Sequence, residues 1–360
     1  MKRIMLFAVF ALLLFMIVPV QAQTESATYC GDLSTADCEL LTESAAAMQA
    51  LESTTFSLEA DIHVGNIAHM PFKELNFALS GAGSTAATKG LFAGLKPEDF
   101  LGSSEDMLPV VADMLRAVAA DMTFTLELPE ELRDMMAEQD QALPSDLSLD
   151  MRMVDGVAYV NLADIAAAAP TANIPPGWVG LDLGELYETV LPNMMEDMPS
   201  TMNFDIVPVM TAMMSPENAE KFMTIKRLED VEMDGQTMAV LETSLDYVAM
   251  LEVPEFQAAI TASAGESAEE ALAVIQAMYE GLTFVSTQYI GVDDKLIHST
   301  NVQMEWDLAA FGEATNQGDL PELSFNMLLT EESFNDAPEV EVPEDATLLP
   351  LQQMFTPPSK

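Results

Sequence analysis

Residues 147–162 constrain the fold most strongly, because their pattern specifies two strands joined by a tight turn. Apolar side chains alternate there with polar ones, at Leu147, Leu149, Met151 and Met153, which is the period of a strand with one buried face. Asp155-Gly156 can take the positive φ angles of a type I′ turn, so residues 157–162 return as the partner strand. Residues 228–246 repeat this arrangement around Asp234-Gly235. The sequence therefore predicts an antiparallel sheet.

Other segments alternate in the same way and predict further strands of this sheet. They lie at residues 55–64, 72–80, 85–92, 121–128, 178–182, 283–290, 296–308 and 322–329. The glycines of Gly81-Ala82-Gly83 predict a turn between the second and third of these segments.

Helical spacing of apolar residues predicts helices at residues 37–53, 105–120 and 267–280. Residues 183–223 are rich in methionine and interrupted by prolines, which predicts several short helices with residues 217–227 as the last. The patterns at residues 129–145 and 247–260 do not decide between helix and loop. Strands and segregated helices together predict an α+β fold.

The N-terminus has the composition of a secretory signal peptide. Met1-Lys2-Arg3 is basic, residues 4–18 are apolar, and Val20-Gln21-Ala22 offers a small-residue cleavage site after Ala22. The apolar run is shorter than the roughly 20 residues of a membrane-spanning helix, although an uncleaved anchor is the alternative. We therefore expect an extracytoplasmic protein, secreted or in the periplasm or cell envelope, that is soluble after cleavage.

The chain is strongly acidic, with 59 Asp and Glu against 13 Lys and Arg and a formal net charge of −46. Such a field repels nucleic acid, so no nucleic-acid partner is expected. Only 20% of the residues are charged and 49% are hydrophobic, which is the profile of a folded chain. The acidic surface could aid solubility or attract calcium, and composition leaves both open.

The two cysteines, Cys30 and Cys38, lie close together after the signal peptide. Export to an oxidising compartment predicts a local disulfide between them that ties down the N-terminal segment.

No catalytic or cofactor signature is found in the sequence. His63, His69 and His298 are scattered, and neither a zinc-protease His pair nor a Ser nucleophile between glycines is found. The acids of 230–235 imitate the start of a calcium loop, but Leu241 stands where the bidentate Glu belongs, so a hairpin turn explains them better. We expect no enzyme, no metal and no cofactor; a hydrolase built from scattered acids is the least favoured alternative.

The unusual feature of the composition is its content of apolar, flexible side chains, since the chain has 27 methionines. Flexible, polarizable Met side chains can repack around varied apolar shapes or simply fill a core. Both readings stay open, for the Met-rich helices as for the rest.

The order of these motifs resembles the LolA and LppX/LprG type of extracytoplasmic lipid and lipoprotein carriers. The resemblance rests on a helix ending in AMQALEST before the strand FSLEADIHV, on the hairpin with Val154-Asp155-Gly156 and Tyr159, on the Trp178 strand, and on Gly291-Val292-Asp293. It implies a strongly curved antiparallel sheet, an incomplete barrel with helices on its concave face. It also implies noncatalytic binding or transport of lipid acyl chains, with an envelope protein as a possible partner. The chain lacks a lipoprotein Cys, and residues 183–223 look like an added helical region.

The predicted organisation follows from these points. Residues 1–22 form the signal peptide, 23–36 an N-terminal segment with the disulfide, 37–335 the carrier-like domain, and 336–360 an acidic, Pro-rich tail that is extended or partly disordered. The candidate ligand-lining residues, which could equally be plain core, are Phe56, Leu58, Ile62, Phe124, Leu126, Leu149, Met151, Met153, Trp178, Met304 and Trp306. The alternative function is a structural or interaction module of the cell envelope with a filled core.

Overall fold

One large sheet organises the structure, a computed structural model that describes residues 29–67, 72–87, 104–138, 143–168, 174–191, 215–264, 268–318 and 320–351. Its strands are β1 (Ser53–Gly65), β2 (Leu75–Ala87), β3 (Val118–Glu127), β4 (Asp146–Val154), β5 (Val157–Asn161), β6 (Trp178–Asp182), β7 (Met223–Arg227), β8 (Val231–Met233), β9 (Gln236–Leu245), β10 (Leu282–Gly291), β11 (Ile297–Asp307), β12 (Glu322–Phe334) and β13 (Thr347–Leu348).

The strands lie in the order β13-β6-β5-β4-β3-β2-β1-β12-β11-β10-β9-β7, with β8 also paired to β9. Neighbours are antiparallel except β13 and β6, which are parallel. In the described ranges, the end strands β13 and β7 do not pair with each other, so the sheet stays open rather than closing into a barrel.

Ten α-helices are found in the described ranges. They are α1 (Thr35–Gln49), α2 (Ser104–Ala117), α3 (Glu130–Ala137), α4 (Ala163–Ala168), α5 (Leu183–Glu185, which continues as a π-helical turn at Leu186–Val190), α6 (Pro216–Phe222), α7 (Tyr247–Leu251), α8 (Pro254–Ala264), α9 (Ala268–Glu280) and α10 (Ala309–Thr315). None of these helices combines the length and apolar composition that crossing a bilayer requires.

Alternation along the strands gives the sheet one apolar and one polar face. The register places Leu58 of β1 opposite Leu329 of β12, and Met122 of β3 opposite Met151 of β4. Because paired side chains point to the same side of a sheet, this alignment continues from strand to strand and collects the apolar residues on one side. We call this side the apolar face.

Three buried clusters show that the helices cover the apolar face. Leu115 of α2, and Leu183 and Leu186 at α5, pack against the apolar side chains of β3, β4 and β5. Helix α1 packs on β9, β10 and β11, and helices α6, α7 and α8 pack beside β7 and the end of β9. The predicted α+β fold, an antiparallel sheet with helices packed on one face, is thus confirmed.

Two local predictions about turns and bridges are also confirmed. Asp155-Gly156 and Asp234-Gly235 both have positive φ angles and close the β4–β5 and β8–β9 hairpins. Cys30 and Cys38 form a disulfide that joins the segment before α1 to the first turn of that helix, with their Cα atoms 5.4 Å apart.

The chain after β12 crosses the polar face and reaches the far edge of the sheet. Arg152 of β4 donates a hydrogen bond to the carbonyl of Glu341, and Val340 is buried. β13 then pairs with β6, and Leu351 is buried in the cluster under α2 and α5. Residues 335–351 therefore contact the polar face at β4, pair with the edge strand β6, and end with Leu351 on the apolar face.

The prediction of a turn at Gly81-Ala82-Gly83 was wrong, because β2 runs straight through it. Gly81 and Gly83 lie on the apolar face, directly opposite Phe124 and Met122 of β3. A Cβ on Gly81 would lie 2.7 Å from Phe124 Cδ1, and one on Gly83 would lie 2.8 Å from Met122 Cγ. The glycines let these large side chains lie across β2, which is the close-approach use of glycine in strands.

Several predicted boundaries also differ, two of them by five residues. Residues 217–227 were predicted as one helix, but α6 ends at Phe222 and Met223–Arg227 form β7, since β9 supplies a pairing partner that helical periodicity cannot anticipate. The last strand was predicted to end at residue 329, whereas β12 continues to Phe334. Residues 88–92 and the Met-rich residues 192–214 lie outside the described ranges.

We predict that Gly83→Val destabilises the protein by about 1–3 kcal/mol, because the new side chain overlaps the backbone oxygen of Asp121 and the side chain of Met122 in a packed layer. Urea unfolding followed by circular dichroism would measure this change. Ala82→Val is the matched control, since Ala82 is exposed on the polar face of the same strand. Equal unfolding free energies for the two variants would contradict the packing role of Gly83.

Candidate ligand site on the apolar face of the sheet

The central strands β1, β12 and β11 carry a continuous row of large apolar side chains on the apolar face. Cross-strand pairs join Ile62 to Phe325 and Met304 to Phe325. We call this row the central strip; its members are Phe56, Leu58, Ile62, Val302, Met304, Trp306, Phe325, Met327 and Leu329.

The central strip lies between the two groups of helices, over strands β3–β5 on one side and over β7, β9 and β10 on the other. Leu58 is only 5% exposed, but the other strip residues are partly exposed. Large side chains of this kind normally lie inside or at binding surfaces. The strip is therefore an apolar surface that the described helices cover incompletely.

A cavity of about 580 Å³ lies against the four adjacent strands β2, β1, β12 and β11. Its apolar lining consists of Ile62, Phe77, Met304 and Phe325. Its polar lining, from the alternate positions of the same strands, consists of Asp61, His63, Asn76, Gln303, Glu305, Ser324 and Asn326. Because successive residues of a strand face opposite sides of the sheet, these polar side chains lie on the polar face, and the cavity does not itself mark a site on the apolar face.

Trp306 closes one end of the central strip through a specific contact. Its indole Nε1 donates a hydrogen bond to the carbonyl of Met278 in α9, at 2.7 Å. A part-buried indole N–H needs such a partner, so this bond fixes both the ring and the helix. Five of the predicted lining residues lie together on the central strip. They are Met304 and Trp306 of β11, and Phe56, Leu58 and Ile62 of β1.

The residues predicted from β3 and β4 lie on the same face but under α2 and α5. Phe124, Met151 and Met153 are 6%, 3% and 3% exposed in the largest buried cluster. Leu149 packs against that cluster, and Leu126 faces the same side. In this part of the sheet the helices already fill the space over the strands.

Trp178 is not brought together with the other predicted residues, because the β5–β6 register puts it opposite Asn161 on the polar face. The guanidinium of Arg152 lies over its ring, 5.3 Å from the centroid, and Arg152 Nε is 3.1 Å from Asp121 Oδ2. Trp178 therefore belongs to a cation–π and ion-pair group on the outer face. Trp178 is the first residue of β6, so no alternating residues precede it in the strand. The sequence pattern therefore could not predict which face of the sheet its side chain lies on.

The histidines have ordinary polar partners. His63 lies on the polar face with Nδ1 2.7 Å from Asn76 Oδ1, and His298 Nε2 lies 2.9 Å from Asp294 Oδ2 at a bulge of β11. His69 lies outside the described residues. Within those residues, no group of three or more His, Cys, Asp or Glu is arranged to hold a metal ion.

The sequence prediction named no lining residue on β12, and Glu331 is the charged residue among those that this strand places on the apolar face. It pairs with Phe56, so it continues the row Phe325, Met327, Leu329 on the apolar face. Burial raises the pKa of its carboxyl to about 7, while a hydrogen bond from the Thr54 side chain acts in the opposite direction. Its Oε2 atom is buried and has no hydrogen-bond partner in the described part of the chain. The signal was the period-2 pattern itself, extended one step beyond Leu329.

Comparison with known protein families gives no match, and comparison with curated proteins gives none either. Solved structures do give matches. Lipoprotein LppX from Mycobacterium tuberculosis is 9% identical, with 85% of this chain and 100% of that chain covered and a TM-score of 0.32. LprF from Mycobacterium bovis is 9% identical, covering 87% and 99%, with a TM-score of 0.30. A LolA superfamily protein from Nitrosomonas europaea is 8% identical, covering 90% and 99%, with a TM-score of 0.18.

The raised pKa of Glu331 predicts a specific pH dependence of stability. The folded state holds this proton more tightly than the unfolded chain, so the associated stability is fully present below the ordinary pKa of 4.5 and is lost as the pH rises through about 7. At pH 8 the buried charge would cost at most roughly 3 kcal/mol. Glu331→Gln should therefore gain stability over the native protein at pH 8 but not at pH 4.5.

Denaturant unfolding at both pH values measures this difference. Glu332→Gln is the control, because it removes one charge at the next position, which is exposed. His298, paired with Asp294, is the titratable group on the adjacent bulge of β11, and it is unchanged in both variants. Parallel pH profiles for the two variants would contradict the assignment to Glu331.

Proposed function

We propose that this protein is an extracytoplasmic, noncatalytic carrier that binds a hydrophobic ligand, a lipid or lipoprotein acyl chain, over the central strip. The observation that carries the proposal is the partial exposure of large apolar side chains between two groups of helices. Acyl chains bound there would leave water, at about 0.8 kcal/mol for each buried CH₂ group.

The side chains of the strip suit such a ligand. Met304 and Met327 are flexible and polarizable, and can adapt to chains of different shape. The resemblance noted from the sequence motifs implies the same class of ligand.

The envelope-module alternative has an observation of its own. The β3–β5 side of the apolar face is filled by α2, α5 and Leu351, with Met151 and Met153 at 3% exposure. A protein that filled its whole apolar face in this way would have no room for a ligand. The two functions therefore differ in what happens over β1, β12 and β11.

Native mass spectrometry of the protein after gentle purification tests the proposal. We expect a population that carries bound mass in the range of lipids, which organic extraction removes. A single unliganded mass, together with no binding of the neutral apolar dye Nile red, would favour the envelope module instead.

A pair of substitutions on β12 tests the location. Met327→Gln should weaken Nile red binding by about three- to tenfold, because it replaces an apolar contact on the strip by an amide. Leu328→Gln is the matched control, since Leu328 is 38% exposed and faces the other side of the same strand. Equal losses in the two variants, with folding intact by circular dichroism, would place the dye elsewhere.

A further inference from the structure

A single carboxyl group interrupts the apolar face at the end of the central strip. Glu331 follows Leu329 on the same side of β12 and lies opposite Phe56 of β1. The neighbouring positions on this face are Thr54 of β1 and Thr85 of β2, whose hydroxyl oxygens are 3.1 Å apart. The apolar row therefore ends in a small polar group of one carboxyl and two hydroxyls.

The carboxyl is only partly satisfied by the protein. The Thr54 side chain hydrogen-bonds to it, while Oε2 is buried without a partner among the described residues. An unpaired buried acceptor costs about 1–3 kcal/mol, and more when it is charged. An apolar side chain at this position would avoid that cost, so a purely structural strip does not account for Glu331.

A ligand with a suitable polar end would supply the missing partner after a rotation of the Glu331 carboxyl brings Oε2, which is buried in this structure, to the ligand. Resting on the function proposed above, we propose that the ligand is an amphiphile whose apolar chain covers the central strip and whose polar end donates a hydrogen bond to Glu331, from a hydroxyl or an amine. A carboxylate-headed ligand fits poorly, because it offers no donor when ionised and meets a chain of net charge −46. Glu331 then sets the direction in which the ligand lies.

Displacement of Nile red at pH 8 tests this choice with four ligands of equal chain length. Hexadecanol and hexadecylamine carry donors, methyl palmitate carries none, and palmitate is anionic. We expect the two donors to bind about tenfold more tightly than methyl palmitate, which corresponds to one hydrogen bond to a charged group, and palmitate to bind least tightly.

Three variants assign the discrimination to one side chain. Glu331→Leu should bring the donors within about twofold of methyl palmitate while the ester still binds. Glu331→Gln keeps an acceptor but no charge, so it should retain the preference for hexadecanol and lose much of that for hexadecylamine. Glu332→Gln, at the exposed neighbouring position, should discriminate as the native protein does.

The outcomes separate the two proposals. If the native protein binds neither Nile red nor any of the four ligands, the carrier function fails and this inference fails with it. If all four bind equally, or if Glu331→Leu discriminates unchanged, the carrier function stands and the role of Glu331 is overturned. Circular dichroism of each variant confirms that folded protein is compared.

Discussion

The constraint on which the rest of the structure depends is the burial of the apolar face of one open sheet. Alternation along the strands, kept in register from β6 to β9, collects Leu, Met, Phe and Val side chains on a single side. An open sheet cannot bury that side by itself, so helices must cover it. The helices do so in two groups, one over β3–β5 and one over β7, β9 and β10. The candidate site is the part of the face between them.

Close approach of side chains and backbone determines how each group sits. Gly81 and Gly83 leave room for the side chains of Phe124 and Met122 on β3. These two side chains belong to the buried cluster against which α2 and α5 pack. On the other side, Trp306 is hydrogen-bonded to α9 and Arg227 pairs with Asp37 of α1. The polar face has its own organisation, in which Arg152 joins Asp121, Trp178 and the chain after β12.

The same physics distinguishes core from candidate site among residues of identical type. Met151 and Met327 are both Met residues on the apolar face, yet Met151 lies under α5 and is buried while Met327 is partly exposed. Glu331 is the one position where the alternation carries a carboxyl into this layer between β1 and β11. Its desolvation and its unpartnered oxygen make it the chemically distinct point of an otherwise apolar surface.

The sequence by itself determined most of the strands, the two Asp-Gly hairpin turns and the side of the sheet on which most apolar residues lie, because period-2 patterns and Asp-Gly turns are local signals. Of the eleven candidate lining residues that the sequence named, ten lie on the apolar face, and Trp178 does not. Only the tertiary structure decided which of them are covered, because helix placement depends on contacts between distant segments. It also placed Trp178 on the polar face through the β5–β6 register, carried β2 through two glycines, and brought Glu331 opposite Phe56. Each of these depends on a neighbouring strand that is remote in sequence or on a register that local patterns leave open.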